Sequence, residues 1–345
     1  MDIVFFHFSN PRWFGPLAPL VDGGYVGVSF FFVLSGFILS YNYGGRDTPL
    51  PRMNFWRTRL SRLYPIYVLS LLVSYRVLME EWHAQTHAHF FQGIVLTPLM
   101  LQGWIPAVAT FWNTPGWTLS CEVFFYALLP WLVALRWPKS FPRLLGMLVL
   151  LWLAGLALPS LYDWLHPDGI AHIDRYSYGF WLRAVKFSPL PHFPEFLFGM
   201  TVARLHAVVR LGNAQRFLLA AAGLLGLLEV MRYSDSLPFL LLHDGLLMPV
   251  VGMTLLGLAG EHLLADFFSL WPFVALGEAS YCMYLLHFNL WDLVHHFHLW
   301  ERLHVAAFDP WISYAFVIAA ALAAYRWVEK PGRKWMLAHM GPDGA

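Results

Sequence analysis

The sequence has few charged residues and almost no cysteine. Only 12% of its 345 residues are charged and 58% are apolar, whereas soluble domains carry about 25% charged residues. This composition excludes an ordinary soluble domain. Cys121 and Cys282 are the only cysteines, so no disulfide framework is implied and a paired-cysteine zinc motif is excluded. The net charge of +1 gives no reason to expect a nucleic-acid partner.

Apolar segments of membrane length recur along the whole chain. Seventeen tryptophans and a positive mean hydropathy are typical of a protein with many membrane spans. Each span needs about 20 residues, and suitable segments lie at 25–43, 63–79, 117–136, 144–161, 188–209, 217–233, 239–259, 271–291 and 310–328. Residues 1–8 resemble the end of one more helix, and the short segment 90–103 is predicted to be interfacial or re-entrant. The predicted fold class is an all-α polytopic membrane bundle of about ten transmembrane helices, with the first one truncated.

The distribution of charge predicts the orientation of these spans. Basic clusters at 46–62, 136–143, 204–216 and 330–334 alternate with acidic or histidine-rich loops at 80–89, 163–186 and 292–309. Basic loops remain in the cytoplasm, so we expect a multi-pass protein of the cell (inner) membrane with a cytoplasmic C-terminus. The exceptions, in the longest outer loop, are Arg175, Arg183 and Lys186. No repeat or second soluble domain interrupts residues 1–345, and no feature indicates an oligomeric state.

Four arginines crowd one predicted cytoplasmic loop between two spans: Arg52, Arg57, Arg59 and Arg62. On a helix, residues three apart share a face, so Arg59 and Arg62 would form one cationic edge at the membrane surface. Guanidinium groups bind phosphate through paired hydrogen bonds. The alternative is that these charges only set the topology.

Small and polar residues mark two of the apolar helices. Ser29, Gly36 and Ser40 share one stripe, where another helix or a substrate chain could approach closely. Glu122 lies within an apolar segment, with Tyr126 one turn further on. A carboxylate in a membrane usually faces a partner or a wet cavity. Glu122 is therefore a candidate base, substrate-orienting acceptor or partner of an arginine.

Histidines supply the remaining candidates. Ser280, Tyr284, His287 and Trp291 follow helical spacing and form one polar and aromatic stripe, and His7 ends the N-terminal apolar segment. Histidine can exchange a proton near neutral pH, although a lone membrane histidine is more often a packing residue. The outer-loop histidines lack acidic or cysteine partners, so no metal site is predicted.

Several segments together resemble the membrane acyltransferase-three family, in the order in which that family carries its motifs. The segments are GYVGVSFFFVLSGF (24–37), FWRTRLSRLYP (55–65), WTLSCEVFFY (117–126), SYCMYLLH (280–287) and EKP (329–331). They extend over almost the whole chain, and ten spans is the usual count in that family. The resemblance implies transfer of an acyl group, often acetyl, from acyl-coenzyme A to a hydroxyl of a cell-surface glycan, a lipid-linked sugar or a related acceptor. It matches His7 to the essential first-helix histidine, and Arg59 and Arg62 to the pair that holds coenzyme A phosphates.

The chain departs from the family pattern in two places. The family has a basic residue on the first helix with ten residues between it and the histidine, and that position falls before Met1. Ser29 stands where the family often has an acidic residue. Because a helix of residues 1–8 cannot span a bilayer that needs about 20 residues, we expect the native protein to begin upstream of Met1.

These observations predict an integral membrane O-acyltransferase in which His7 is the general base. Glu122, Tyr284 and His287 are candidates to orient the acceptor or stabilise the developing oxyanion. Direct transfer and a covalent acyl-histidine relay both remain open. The alternative class is a polytopic transporter of a lipid-linked or small polar solute, because transporters also use membrane-embedded Glu and His. Transporters often contain internal repeats, and this sequence shows none.

Overall fold

The computed structural model describes residues 2–8, 11–45, 49–174 and 176–340, without the side chains of residues 2, 3 and 11–13. Met1, residues 46–48 of the first basic cluster, and Arg175 lie outside this description. Every regular element within it is helical. The α-helices of the first half are α1 (Asp2–Phe8), α2 (Ala18–Asp22), α3 (Gly27–Tyr43), α4 (Arg52–Val73), α5 (Tyr75–Ala84), α6 (His87–Leu96), α7 (Trp117–Ala134) and α8 (Phe141–Leu165).

The second half continues in the same way. Its α-helices are α9 (Phe180–Phe187), α10 (Pro189–Val208), α11 (Asn213–Arg232), α12 (Phe239–His243), α13 (Met248–Leu258), α14 (Leu263–Phe268), α15 (Trp271–Glu278), α16 (Ser280–His296), α17 (Leu299–Arg302), α18 (Trp311–Ala324) and α19 (Lys330–His339). A π-helical turn (Tyr325–Glu329) joins the last two. Short 3-10 helices occupy Pro11–Leu17, Gly23–Val26, Gln102–Trp104, Pro106–Val108, Thr114–Gly116, Ser234–Ser236 and Ala306–Phe308.

The bundle confirms the predicted helical membrane fold but not the count of ten spans. Six helical segments of the described chain are long and apolar enough to cross a membrane, and a bent pair, α4 with α5, would make seven. The six are Phe14–Tyr43, Thr114–Ala134, Phe141–Leu165, Asn213–Arg232, Phe239–Leu258 and Trp311–His339. The predicted spans 188–209 and 271–291 are helical, but they do not meet the same criterion; the second is interrupted at Ala279.

Helix α4 corrects two sequence predictions. It begins at Arg52 rather than near residue 63, so Arg59 and Arg62 lie on a helix and not in a loop. The predicted span 63–79 also crosses a bend of 64° between α4 and α5. The Ser74 hydroxyl donates to the carbonyls of Ser70 and Leu71, at 2.8 and 3.1 Å. Such bonds compete with the helical backbone ladder and favour a bend there.

Helices α3 and α10 cross in close backbone contact. A Cβ atom at Gly36 would collide with the Phe196 carbonyl oxygen, and a Cβ at Gly199 would collide with that of Val33. Two glycines on facing helices therefore allow the two backbones to touch. The small-residue stripe of α3 serves helix packing at Gly36, and this packing fixes α3 as one wall of the internal cavities.

Candidate active site

Arg59 and Arg62 line the same cavity, of about 130 Å³, between α3, α4, α7 and α16. We call it the arginine cavity. The two side chains follow each other on one face of α4, as their spacing predicts. Arg62 is exposed and Arg59 is half-buried. A ligand could therefore reach Arg62 from outside and Arg59 behind it.

Arg59 is held by aromatic neighbours. Its Nη2 donates to the Tyr43 hydroxyl at 2.7 Å. Its guanidinium lies 5.3 Å from the centre of the Tyr43 ring and 5.5 Å from that of Phe55, within the range of cation–π attraction. Its Nε is buried and makes no hydrogen bond. The guanidinium is thus held in place by its surroundings, and its buried Nε–H has no acceptor.

Glu122 belongs to the arginine cavity. Its carboxylate accepts hydrogen bonds from Tyr126, at 2.7 Å, and Ser35, at 3.2 Å. It interacts electrostatically with both Arg59 and Arg62. Of the roles left open by the sequence, this geometry favours partner of the arginines. The structure does not bring Glu122 to the cavities lined by His287.

A second carboxylate, Glu329, also faces this region, and the sequence analysis did not select it. It is buried at the end of the π-helical turn, accepts a hydrogen bond from the Cys282 thiol at 3.1 Å and interacts electrostatically with Arg62. The only sequence signal was its place in the EKP motif. Glu122 and Glu329 thus place carboxylates beside the arginines, whereas Ser29, at a position where the family often has an acidic residue, has no charge.

An apolar cavity of about 370 Å³ adjoins the arginine cavity. We call it the middle cavity. It shares wall residues with the arginine cavity, namely Phe31, Leu34, Ser280 and Tyr281. Most of its other lining is hydrocarbon, including Val4, Val28 and Leu119. Two sites of different polarity therefore lie next to each other inside the bundle.

A third cavity, of about 420 Å³, contains both candidate histidines. We call it the histidine cavity. It shares Val28, Tyr284 and His287 with the middle cavity. The imidazole rings of His7 and His287 lie 5.5 Å apart between ring centres. Aromatic side chains form most of the remaining lining, together with Lys186 and His243. His7, near the N-terminus, and His287, in the last quarter of the chain, therefore line the same cavity.

The predicted stripe on α16 faces this series of cavities. Ser280 lines the arginine and middle cavities, whereas Tyr284 and His287 line the middle and histidine cavities. Trp291, the last member, stacks on Phe8 with 4.4 Å between ring centres. The stripe therefore both lines the cavities and holds α1 in position.

His287 has a defined tautomer. Its Nδ1 lies 2.7 Å from the Tyr284 carbonyl oxygen, and a carbonyl only accepts, so this nitrogen carries the hydrogen when the ring is neutral. Its Nε2 is then an acceptor, and it is buried without a hydrogen-bond partner. His287 thus presents an unused lone pair inside the site.

His7 is positioned by α1, which packs on α16 and α18. Its ring lies 4.4 Å from that of Phe288, and Phe5 lies 4.9 Å from Tyr314. The His7 side chain is exposed, whereas His287 is fully buried. The exposed ring is the one that a substrate entering from outside would meet first.

Lys186 brings a cation into the histidine cavity that the sequence analysis treated only as a topological exception. It lies on the outer helix α9, with its ammonium nitrogen 4.7 Å from the centre of the Phe239 ring. Burial lowers the pKa of Lys186 to about 8, and electrostatic interaction with Asp244 opposes this effect. Part of its population is therefore neutral in mildly alkaline solution.

The fold and the site together define a multi-pass helical membrane protein with three adjoining internal cavities. A family model described as an acyltransferase domain matches residues 3–325. The chain therefore belongs to this acyltransferase family, which confirms the resemblance found in its motifs.

Individual relatives agree with the family. Acyltransferase MdmB of Streptomyces mycarofaciens is 32% identical over 110 residues, which cover 31% of this chain and 28% of that protein. Peptidoglycan O-acetyltransferase OatA of Listeria monocytogenes is 25% identical, with 90% of this chain and 52% of the relative covered. O-acetyltransferase OatA of Staphylococcus aureus is 20% identical, with 97% and 55% covered. This chain thus spans about half the length of the OatA relatives. No solved structure matches.

Proposed function

We propose that this chain is an integral membrane O-acyltransferase that moves an acyl group, most simply acetyl, from acyl-coenzyme A to a hydroxyl of a cell-surface glycan or lipid-linked acceptor. The observation that carries the proposal is the order of the three cavities. A basic cavity, an apolar cavity and a histidine cavity adjoin in that sequence. The names of both OatA relatives support an O-acetyl group, and the name of the Listeria relative supports a glycan acceptor.

The arginine cavity is the proposed donor site. Arg59 and Arg62 are cations that suit phosphate, and Arg59 is held in place by Tyr43 and Phe55. We place this cavity on the cytoplasmic side of the cell membrane, together with the C-terminus, because the basic clusters indicate that orientation. Coenzyme A is supplied from the cytoplasm, so the donor would enter there.

The middle cavity would hold the pantetheine arm. In this arrangement the adenosine phosphates stay with the arginines while the thioester advances toward Tyr284 and His287. The histidine cavity would receive the acceptor, whose sugar rings suit the aromatic walls and whose hydroxyl would lie near His7. Binding at two adjoining sites converts the reaction into an effectively intramolecular step.

The proposed chemistry is a direct transfer. His7, as a neutral imidazole, takes the proton of the acceptor hydroxyl, and the hydroxyl oxygen attacks the thioester carbonyl carbon. The carbon–sulfur bond breaks and the coenzyme A sulfur leaves as the thiolate. The protonated His7 then gives its proton to the thiolate, which restores the neutral imidazole. Tyr284 would support the carbonyl oxygen as negative charge develops, and His287 would orient the acceptor through its free Nε2.

The test combines coenzyme A release with transfer of labelled acetyl groups by the purified protein. His7→Ala should abolish transfer and leave coenzyme A binding intact, because His7 is remote from the arginine cavity. His287→Ala should reduce transfer and weaken acceptor binding. The matched control is His296→Ala, an exposed histidine on the same helix as His287, which should behave like the wild type. Near-normal turnover by His7→Ala would refute the assignment of the base. Solute uptake by the wild type without coenzyme A release would refute the acyltransferase itself.

A further inference from the structure

Four buried residues form a cluster behind the histidine cavity: His192, Glu195, His243 and Asp244. We call it the buried histidine–carboxylate cluster. His192, Glu195 and Asp244 have no exposed surface and His243 is 5% exposed. Only His243 lines the cavity. The proposed acyl transfer uses none of these side chains, so the cluster requires a separate explanation.

The donor atoms of the cluster converge. His192 Nδ1 lies 3.0 Å from Asp244 Oδ1 and 3.1 Å from Glu195 Oε2. His243 Nδ1 lies 3.5 Å from Asp244 Oδ2. One donor atom from each of His192, His243 and Asp244 can be chosen so that all lie within 4.8 Å of one another. Four residues thus direct nitrogen and oxygen atoms toward one another inside the protein.

The hydrogen bonds of His192 show which of its nitrogens is free. Its Nε2 lies 3.1 Å from the Lys186 carbonyl oxygen, so Nε2 carries a hydrogen. In the neutral ring, Nδ1 then has a lone pair and faces two carboxylate oxygens. Three acceptors cannot face one another in a dry interior unless a cation lies among them. That cation is either a proton, held by His192 or by one of the carboxylates, or a metal ion.

Buried atoms that lack a hydrogen-bond partner favour the metal ion. Glu195 Oε1 is satisfied by the Ser29 hydroxyl and by the Gly245 amide, at 3.1 Å. By contrast, both oxygens of Asp244 and the Nδ1 of His243 are buried and lack a hydrogen bond of acceptable geometry. A proton in the cluster would leave His243 Nδ1 with no closer partner than Asp244 Oδ2 at 3.5 Å. A metal ion would engage His243 and Asp244 together.

We propose that the buried histidine–carboxylate cluster binds one zinc ion through His192 Nδ1, His243 Nδ1, Asp244 and Glu195. Two histidines with carboxylates are a common zinc ligand set, and Zn–N and Zn–O distances of about 2.0–2.2 Å give donor separations of roughly 3.3 Å in a tetrahedron. The distances from His192 Nδ1 to Asp244 Oδ1 and to Glu195 Oε2, 3.0 and 3.1 Å, lie close to that, and His243 Nδ1 lies 3.5 Å from the other oxygen of the Asp244 carboxylate. A divalent ion also balances two carboxylates, and ligating histidines usually donate their other N–H to a carbonyl or carboxylate, as His192 does.

The metal would have a structural role. It would link α10, which carries His192 and Glu195, to the end of α12, where His243 is the last residue and Asp244 follows it. Helix α12 forms part of the wall of the histidine cavity through Phe239 and His243. The sequence analysis predicted no metal site because it considered the histidines of the outer loops and not His192 and His243.

The test is metal analysis of the protein purified without a polyhistidine tag from cells grown with zinc. The wild type should contain about one zinc per chain. His243→Gln and Asp244→Asn should each lose most of it, whereas His296→Gln, an exposed control, should retain it. Chelation should lower the thermal unfolding temperature of the wild type, and zinc alone should restore it. This reversible shift tests the proposal even if the variants fold poorly.

The opposite result is equally clear. A wild type without zinc above the level of the Asp244→Asn variant, with an unfolding temperature unaffected by chelator, would overturn the proposal. The carboxylates would then be neutralised by a protonated His192 and by Lys186, which interacts electrostatically with Asp244. Because the readouts are metal content and stability, failure here would leave the proposed acyl transfer untouched.

Discussion

Replacing Arg59 and Arg62 with lysine separates the geometry of the guanidinium group from its charge. Lysine keeps the positive charge but loses the planar pair of donors that matches a phosphate. The side chain at position 59 would also lose the arrangement in which Nη2 donates to Tyr43. The proposed donor site depends on this geometry, so the double variant should bind coenzyme A less tightly while the helix remains folded.

The expected magnitude follows from the bonds lost. A hydrogen bond to a charged group contributes about 1.5–3 kcal/mol. Because lysine retains its charge and one bond, each substitution should cost about 1.4 kcal/mol, a tenfold change in Kd. Two independent losses would give about 100-fold. Both side chains line one cavity, so the two effects need not add, and each single variant must be measured beside the double variant.

The assay is equilibrium binding of coenzyme A to the protein in detergent. The control is Arg52→Lys on the same helix. Arg52 is exposed, lies 4.7 Å from the centre of the Trp131 ring and does not line the arginine cavity. Its replacement should leave the Kd unchanged. Unchanged affinity in the double lysine variant, or an equal loss in Arg52→Lys, would refute the reasoning.

Three further predictions concern other parts of the structure. Glu122→Gln should alter the Kd for coenzyme A and not the KM for the acceptor, because Glu122 lies with the arginines; the reverse pattern in steady-state kinetics would contradict this placement. Gly36→Ala should lower the thermal unfolding temperature, at a cost of about 1–3 kcal/mol, because its methyl group would collide with the Phe196 carbonyl. Gly146→Ala, with open space at that Cβ, is the control. Thermal stability in detergent should rise between pH 8 and 10.5, because the pKa of Lys186 is lowered from 10.5 to about 8 and the unfolded chain therefore binds more protons in that range. Lys186→Met should reduce this rise, and an unchanged profile would contradict the lowered pKa.

The sequence was sufficient for features that depend on local spacing. Arg59 and Arg62 share a face because they are three residues apart, and Ser280, Tyr284 and His287 line cavities because helical periodicity places them on one stripe. The apolar segments gave the positions of most helices. Their interruptions were missed because they depend on single residues: Ser74 bends the helix through its own hydroxyl, and Gly245, with a φ of 92°, lies where the predicted span 239–259 breaks.

The sequence was insufficient for contacts between distant segments. Asp244 approaches His192, but only the folding of α10 against the residues between α12 and α13 brings the two together. Glu122 was recognised as a costly charge, yet its role stayed open until the arginines were seen beside it. The sequence also did not predict the contact of Ser29, which departs from the family pattern. Its hydroxyl donates a hydrogen bond to Glu195 on a neighbouring helix.

The apolar lining of the middle cavity has a consequence for the energetics of the whole cell. A membrane that stores energy as an ion gradient is discharged by any continuous column of water across it. In the proposed orientation, a polar passage from the arginine cavity to His7 would fill with water and form such a column. Hydrocarbon walls disfavour a continuous chain of water molecules. Val28, Leu34 and Leu119 would therefore prevent ions and protons from leaking through the protein between turnovers. The protein could then transfer an acyl group across the bilayer without dissipating the ion gradient.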